Sequence, residues 1–184
     1  MNELTFSQAQ ADMRRGYFCG APGILVSGMV WLAAGLVAIL ASEKSAVLTL
    51  LLGGAAIHPL SVLLTRLIGR KGTHTPGNAL GRLAVEGTFW LLAGIAIAYG
   101  LQVLRPEWFF PAMLLLIGGR YLTFQTLYGL RIYWVCGGTL CLLGLVLALA
   151  RSPAPTGAFT GAGVELFFAV IVFTQARRHD AASR

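Results

Sequence analysis

Apolar residues in this chain run in long unbroken blocks. Six of them stand between charged or Pro/Gly breaks, approximately Phe18–Ala41, Ala46–Ile68, Leu80–Leu104, Trp108–Leu130, Ile132–Ala150 and Gly157–Ala176. A helix on the surface of a water-soluble domain confines its apolar residues to one stripe. A bilayer crossing instead takes about 20 apolar residues in succession. The pattern therefore predicts an all-α fold, an integral membrane bundle of six transmembrane helices. The breaks are Ser42-Glu43-Lys44-Ser45, Gly69 to Gly77, Arg105-Pro106-Glu107, a tight join near Arg131, and Arg151 to Thr156. They are too short for an extramembrane domain, so 1–184 reads as a single membrane domain.

The segment 1–17 differs in character from the first apolar block. Ser7-x-x-Gln10 has the form of a capping box. Phe6, Ala9, Met13 and Tyr17 fall on one face of a helix, with Arg14 and Arg15 at its membrane end. A short juxtamembrane amphipathic (interfacial) helix is expected, leading into the bundle at 18–176, with a polar tail at 177–184. The first apolar block is longer than the 7–15 residues of a signal-peptide core. No cleavable signal peptide is expected.

Composition supports the membrane reading. Only 11% of the 184 residues are charged, against roughly 25% in soluble domains. So few charges cannot cover a water-facing surface. The formal charge of +7 comes from basic residues at block ends, where the positive-inside rule places them, and nucleic acid is not an expected partner. With the N-terminus inside, the inner segments hold Arg14, Arg15, Arg66, Arg70, Lys71, Arg82, Arg131, Arg177, Arg178 and Arg184, and the outer ones only Lys44, Arg105 and Arg151. That bias puts both termini in the cytoplasm. Beyond the lipid bilayer itself, anionic lipid headgroups at the inner basic loops are candidate partners, as is a second copy of the chain. The loop from Gly69 to Gly77 lacks the order of a phosphate loop, and a solvated loop is its other reading.

The odd-numbered blocks share a pattern. Ser27-Gly28-Met29-Val30-Trp31-Leu32-Ala33-Ala34-Gly35 can be laid over Glu86-Gly87-Thr88-Phe89-Trp90-Leu91-Leu92-Ala93-Gly94, with a fainter copy from Cys136 to Gly144. Two glycines stand seven apart in each, and small residues let membrane helices approach closely. Gly53-Gly54, Gly118-Gly119 and Gly161-x-Gly163 occupy comparable places in the even blocks. One reading is three two-helix hairpins in pseudo-threefold arrangement. The other is chance recurrence of residues common in spans. Trp31 and Trp90, away from span ends, are expected in helix packing.

Ionisable groups inside a span are costly and mark candidate sites. Counted back from the inner basic residues, His58, Arg120 and Glu165 fall at nearly one depth, 12, 11 and 12 positions in. An Arg120–Glu165 ion pair is the sharp expectation, with a structural lock as its plain alternative. His58 precedes Pro59, whose ring breaks the helical ladder, and broken helices near the midplane accompany transport sites. Ser61, one turn from His58, and Tyr121 complete the substrate-binding set. Arg82 and Glu86, four apart, have the spacing of an intrahelical ion pair. The signatures of zinc proteases and nucleophile elbows are absent, so no catalytic residue is assigned and an enzyme is not expected. Cys19, Cys136 and Cys141 show no metal spacing; neither a metal nor a cofactor is expected.

Several segments resemble an uncharacterised family of small bacterial polytopic membrane proteins, a domain of unknown function. They are Pro59-Leu60-Ser61 with Arg66 and Gly69, Asn78-x-Leu80, Phe110-Pro111, and Gly119-Arg120-Tyr121-Leu122-x-Phe124-x-x-Leu127-Tyr128. The resemblance covers roughly Arg14 to Ala150 and leaves the last span uncovered. It implies a helical bundle in a bacterial inner membrane and carries no established activity. Two functional readings remain. In the first, a small-solute or ion transporter or channel uses His58, Arg120 and Glu165 at the midplane, the guanidinium favouring an anionic or zwitterionic solute. In the second, the same residues lock helices together in a structural or interaction protein.

Overall fold

The computed structural model describes residues 4–182, and every regular element among them is helical. Residues 1–3 of the juxtamembrane segment and the end of the polar tail, with Arg184, lie outside the described residues. The first helix, α1 (Phe6–Tyr17), passes through a 3₁₀ turn at Phe18–Gly20 into α2 (Ala21–Leu40). Then come α3 (Glu43–Leu67), α4 (Ala79–Leu104), a 3₁₀ turn at Pro106–Trp108, α5 (Phe109–Tyr128), α6 (Ile132–Leu149) and α7 (Ala154–Ala182). Five stretches are long and apolar enough to cross a membrane: Phe6–Leu40, α3, α4, α6 and α7. The sixth expected span, α5, is not among them. It carries Arg120 and Gln125, and it buries Phe109, Phe110, Leu114, Tyr121 and Leu127 among its neighbours.

The local starts and stops follow from named residues. The capping box of α1 is Thr5-x-x-Gln8 and not Ser7-x-x-Gln10: the Gln8 N–H donates to Thr5 Oγ1, and the Thr5 N–H donates to Gln8 Oε1 at 2.9 Å. Both sequences have the pattern, and the earlier one gives the helix its extra half-turn. Ser42 caps α3 and Asn78 caps α4 through their side-chain oxygens. Pro59 lies inside α3, which continues past it to Leu67. Of the face expected to bury α1, Ala9 and Met13 are buried, Tyr17 is half-buried and Phe6 is exposed.

Glycine pairs set the packing of the bundle. A Cβ at Gly28 would lie 2.9 Å from Leu166, and one at Gly35 would lie 2.9 Å from Phe159, so α2 and α7 touch nearly backbone to backbone. In α6 the pair repeats: a Cβ at Gly137 would lie 2.6 Å from the Gly118 carbonyl, and one at Gly144 would meet Pro111, Leu114 and Leu115 of α5. In α4, Gly87 and Gly94 face Thr123 and Leu116, again of α5. The three helices of the repeat, α2, α4 and α6, thus turn its glycines toward a neighbouring helix, α2 toward α7 and the other two toward α5. The packing is correspondingly unequal: α2 lies broadly against both α3 and α7, and α5 against α6, while α6 meets α7 over little. Trp31 is wholly buried, as expected of a packing residue, whereas Trp90 is 78% exposed on the outer face of α4. The same motif position faces a partner helix in α2 and the surroundings in α4.

Candidate functional site

Three helices enclose Glu165. Gly161, one turn before it on α7, lets the Trp31 indole of α2 rest on the helix backbone; a Cβ there would lie 2.5 Å from the ring. Gly28 admits Leu166 in the same way. The interface this creates leaves Glu165 at 0% exposure. Ser27 of α2 and Tyr121 of α5, both buried, stand beside its carboxyl, and Cys136 of α6 is within electrostatic reach. Both hydroxyls stand within reach of the carboxyl, but neither meets it in full hydrogen-bonding geometry, so Oε1 and Oε2 make no well-formed hydrogen bond. The indole Nε1 of Trp31 is likewise buried without a partner. Buried polar groups in folded proteins are almost always paired, and leaving one unpaired costs on the order of 1–3 kcal/mol. The Trp31 ring itself packs against Gly161 of α7 and stands 6.1 Å from the Phe110 ring of α5.

The expected Arg120–Glu165 ion pair does not form. Among the described residues the ion pairs are Arg70–Asp180, between the loop after α3 and the end of α7, and Arg105–Glu107. Helix phase is the reason. Successive residues turn by about 100°, and on α5 Tyr121 takes the side facing α7. Arg120 therefore faces α4, where Nη2 donates to Thr88 Oγ1 at 3.0 Å and the guanidinium stands 5.6 Å from the Phe124 ring centre. Its Nη1 is buried and unpaired. His58 is exposed on α3. Ser61 donates to the His58 carbonyl at 2.8 Å and lies against α2 near Gly23. Neither belongs to the Glu165 cluster. Arg82 and Glu86 are both exposed on α4 and form no ion pair among the described residues. Of the expected set, the fold unites only Glu165 and Tyr121.

Ser27 and Cys136 are the residues that sequence reasoning missed as site members. A signal was present: they occupy the same position of the glycine repeat, immediately before its first glycine. Depth and charge do not reveal such a position, since neither side chain is charged.

From Tyr121 a column of rings leads away from Glu165. Tyr121 stacks on Tyr133 with ring centres 6.1 Å apart, Tyr133 stacks on Tyr128 at 5.6 Å, and Phe124 presents its edge to all three. The Tyr133 hydroxyl donates to the Cys19 carbonyl at 2.5 Å, in the turn between α1 and α2. Gly20 in that turn has φ +82°, and a Cβ there would lie 2.6 Å from the Tyr133 hydroxyl. Beyond it, the Tyr17 hydroxyl pairs with His74 Nδ1 at 2.9 Å.

This end of the bundle is tied across several elements. Arg14 donates to the Tyr128 carbonyl at 2.7 Å and Gln10 to that of Thr126 at 2.9 Å, together capping α5. Asp12 accepts from the Thr75 N–H and hydroxyl and from Asn78 Nδ2 at 2.8–2.9 Å. The Gly72 N–H donates to the Gly16 carbonyl, and Arg70 lies over Phe18. A shallow recess lined by Gln175, Arg178 and His179 opens on α7 about three turns from Glu165. Among the described residues no His, Cys, Asp and Glu cluster has the form of a metal site.

No curated protein and no solved structure matches the chain. A family model does match, over residues 6–175. The match takes in most of α7 and Glu165 itself, which the motif resemblance from Arg14 to Ala150 had left uncovered. The chain belongs to the family described as "Family of unknown function (DUF7010)".

Proposed function

We propose that this protein is a multi-pass carrier that moves protons or small cations across a membrane through Glu165. One observation carries the reading: a carboxyl enclosed by α2, α5 and α7 with no counter-ion and no well-formed hydrogen bond, only the Ser27 and Tyr121 hydroxyls beside it. A residue kept only to lock helices would be satisfied by a hydrogen bond or a counter-ion, because an unpaired one costs stability. Intramembrane ionisable residues are retained chiefly for the ions they handle. With Arg120 turned toward Thr88, the carboxyl sets the sign of the site, and a cationic species fits better than the anionic one that Arg120 suggested.

The topology in this reading is six crossings of a bacterial inner membrane with both termini in the cytoplasm. It is supported by the way α1, the loop after α3, the α5–α6 turn and the end of α7 meet at one end of the bundle. Exposed Arg15, Arg66, Lys71 and Arg131 around that end suit anionic headgroups. Five helices qualify as spans alone, and α5 crosses with its polar residues sheltered between α4, α6 and α7. The threefold arrangement has its best support in the matching glycine contacts of α2 on α7 and α6 on α5. The exposed apolar faces of α3 and α4 meet lipid or a second copy, and the protein works without catalytic chemistry.

Glu165→Leu separates the two readings. In a carrier it abolishes ion movement into reconstituted vesicles and leaves the melting temperature unchanged or raised, since a buried acid with no well-formed hydrogen bond is replaced by a hydrophobe of similar size. A structural lock gives the opposite: a lower melting temperature, with no Glu165-dependent ion movement in the parent protein.

A further inference from the structure

We propose that the outer face of α3, around Gly54, Ala55 and His58, pairs with the same face of a second copy of this chain. The inference uses the membrane crossings described above and is independent of what Glu165 handles. Of the helices, only α2 packs broadly on α3. Gly53 marks that contact, since a Cβ there would lie 2.5 Å from Val30 of α2. Ala55 is turned about 200° from Gly53, and Gly54, Ala55, His58 and Pro59 are all exposed. A Cβ at Gly54 would meet nothing within 4 Å. Leu52 and Leu63 are exposed beside them.

This would be plain lipid-facing surface but for two polar groups. One is the His58 imidazole, which makes no hydrogen bond among the described residues, although the His58 carbonyl accepts from Ser61. The other is the Ala55 carbonyl. Its helical donor would be residue 59, which is Pro59 and has no N–H, and no side chain among the described residues donates to it. Both groups lie near the middle of α3, where hydrocarbon offers neither donor nor acceptor. Helical side chains lean toward the N-terminus, which sets the His58 imidazole at about the level of Ala55.

The occupant follows from what the face carries. A donor and an acceptor at one depth make it complementary to itself. Copies of one chain insert in the same orientation, so a twofold axis along the membrane normal brings equal depths together and makes each contact twice. His58 of each copy then donates to the Ala55 carbonyl of the other, and the small residues Gly54 and Ala55 let the two backbones approach. A lipid chain satisfies neither group, and headgroups lie at the interface, half a helix away. The exposed face of α4 is different. Phe89, Trp90 and Leu92 stand on it, and the Thr88 hydroxyl already donates to the Ala84 carbonyl, which suits it to lipid.

The test reconstitutes the full chain, singly labelled at its C-terminus, into phosphatidylcholine liposomes at falling protein-to-lipid ratio. Photobleaching steps give the dimer fraction. The parent is expected to dimerise, and His58→Leu to need roughly tenfold higher density for the same fraction, the weight of two interhelical hydrogen bonds. Gly54→Leu should weaken pairing through bulk, and Trp90→Ala should leave it unchanged. In a second arm, Ala55→Cys is expected to give a disulfide dimer under mild oxidant, above the background of the native cysteines, and Trp90→Cys is not. Parent protein that stays monomeric at every density would overturn the proposal and leave lipid on this face. Equal dissociation of parent and His58→Leu would overturn it too, as would crosslinking through Trp90→Cys but not Ala55→Cys, which places the pairing on α4. A lowered melting temperature of monomeric His58→Leu in detergent would show that His58 serves its own chain instead. None of these outcomes bears on ion movement through Glu165, so failure here is distinct from failure of the carrier reading.

Discussion

Tyr133 shows what a single hydroxyl does in this bundle. It lies wholly buried, stacked between Tyr121 and Tyr128, with its hydroxyl donating to the Cys19 carbonyl. Phe18, Cys19 and Gly20 all have positive φ, a region costly for residues bearing a Cβ. The hydrogen bond helps hold that turn between α1 and α2. Tyr133→Phe preserves the ring stack and leaves a buried carbonyl unpaired, which is expected to cost about 1–3 kcal/mol. A lowered melting temperature in detergent would register it, and an unchanged one would show that the turn is held by other contacts. Glu165 contrasts with this residue. Its polar atoms are enclosed without a well-formed hydrogen bond, so the same measurement on Glu165→Leu should give no loss.

Among the helices, close approach depends on glycines that carry no side chain between neighbouring backbones. Gly137 is the sharpest case, because a Cβ there would lie 2.6 Å from the Gly118 carbonyl and 3.1 Å from the Leu122 nitrogen. Gly137→Ala must push α6 away from α5, with a cost of about 1–3 kcal/mol for overpacking. Its neighbour Gly138 meets nothing within 4 Å. Gly138→Ala should be neutral or stabilising by up to about 1 kcal/mol, through helix propensity alone. Thermal unfolding of the two variants side by side checks the packing, since adjacent glycines of one helix are predicted to respond with opposite signs. At the start of α4, Asn78 caps the helix, donates to the Ala9 carbonyl and donates to Asp12. Asn78→Ala loses the cap and both ties, a cost of about 1–2 kcal/mol from the cap alone.

At the level of the whole molecule, α1 acts as a clasp across one end of the bundle. It joins the loop after α3 through Asp12 and Gly16, and α5 through Gln10 and Arg14. Removing residues 1–17 should leave the bundle folded and raise amide exchange in the segment from Gly69 to Asn78. Exchange unchanged in that segment would mean that Arg70–Asp180 alone holds it. Fluorescent or enzymatic reporters on both termini are expected to signal from the cytoplasm, and a periplasmic signal from either would rule out the six-crossing arrangement.

The run lengths of apolar residues placed α2 to α6 to within a few residues of their ends, because a bilayer crossing demands length regardless of which neighbour is met, while α7 runs on to Ala182, past the expected end at Ala176. The cost of an intramembrane charge likewise marked Glu165 from sequence. Neighbourhood was another matter. Arg120 and Tyr121 are adjacent in the chain, and only the rotational setting of α5 decides which one meets α7. His58 shares their depth along the sequence yet stands exposed on α3, since depth along a helix says nothing of the face it occupies. The glycine repeat announced close approach, while the pairing of α2 with α7 and of both α4 and α6 with α5 emerged from tertiary packing. Periodicity and polarity are properties of one chain segment; contact is a property of two, and it depends on how each helix is turned toward the other.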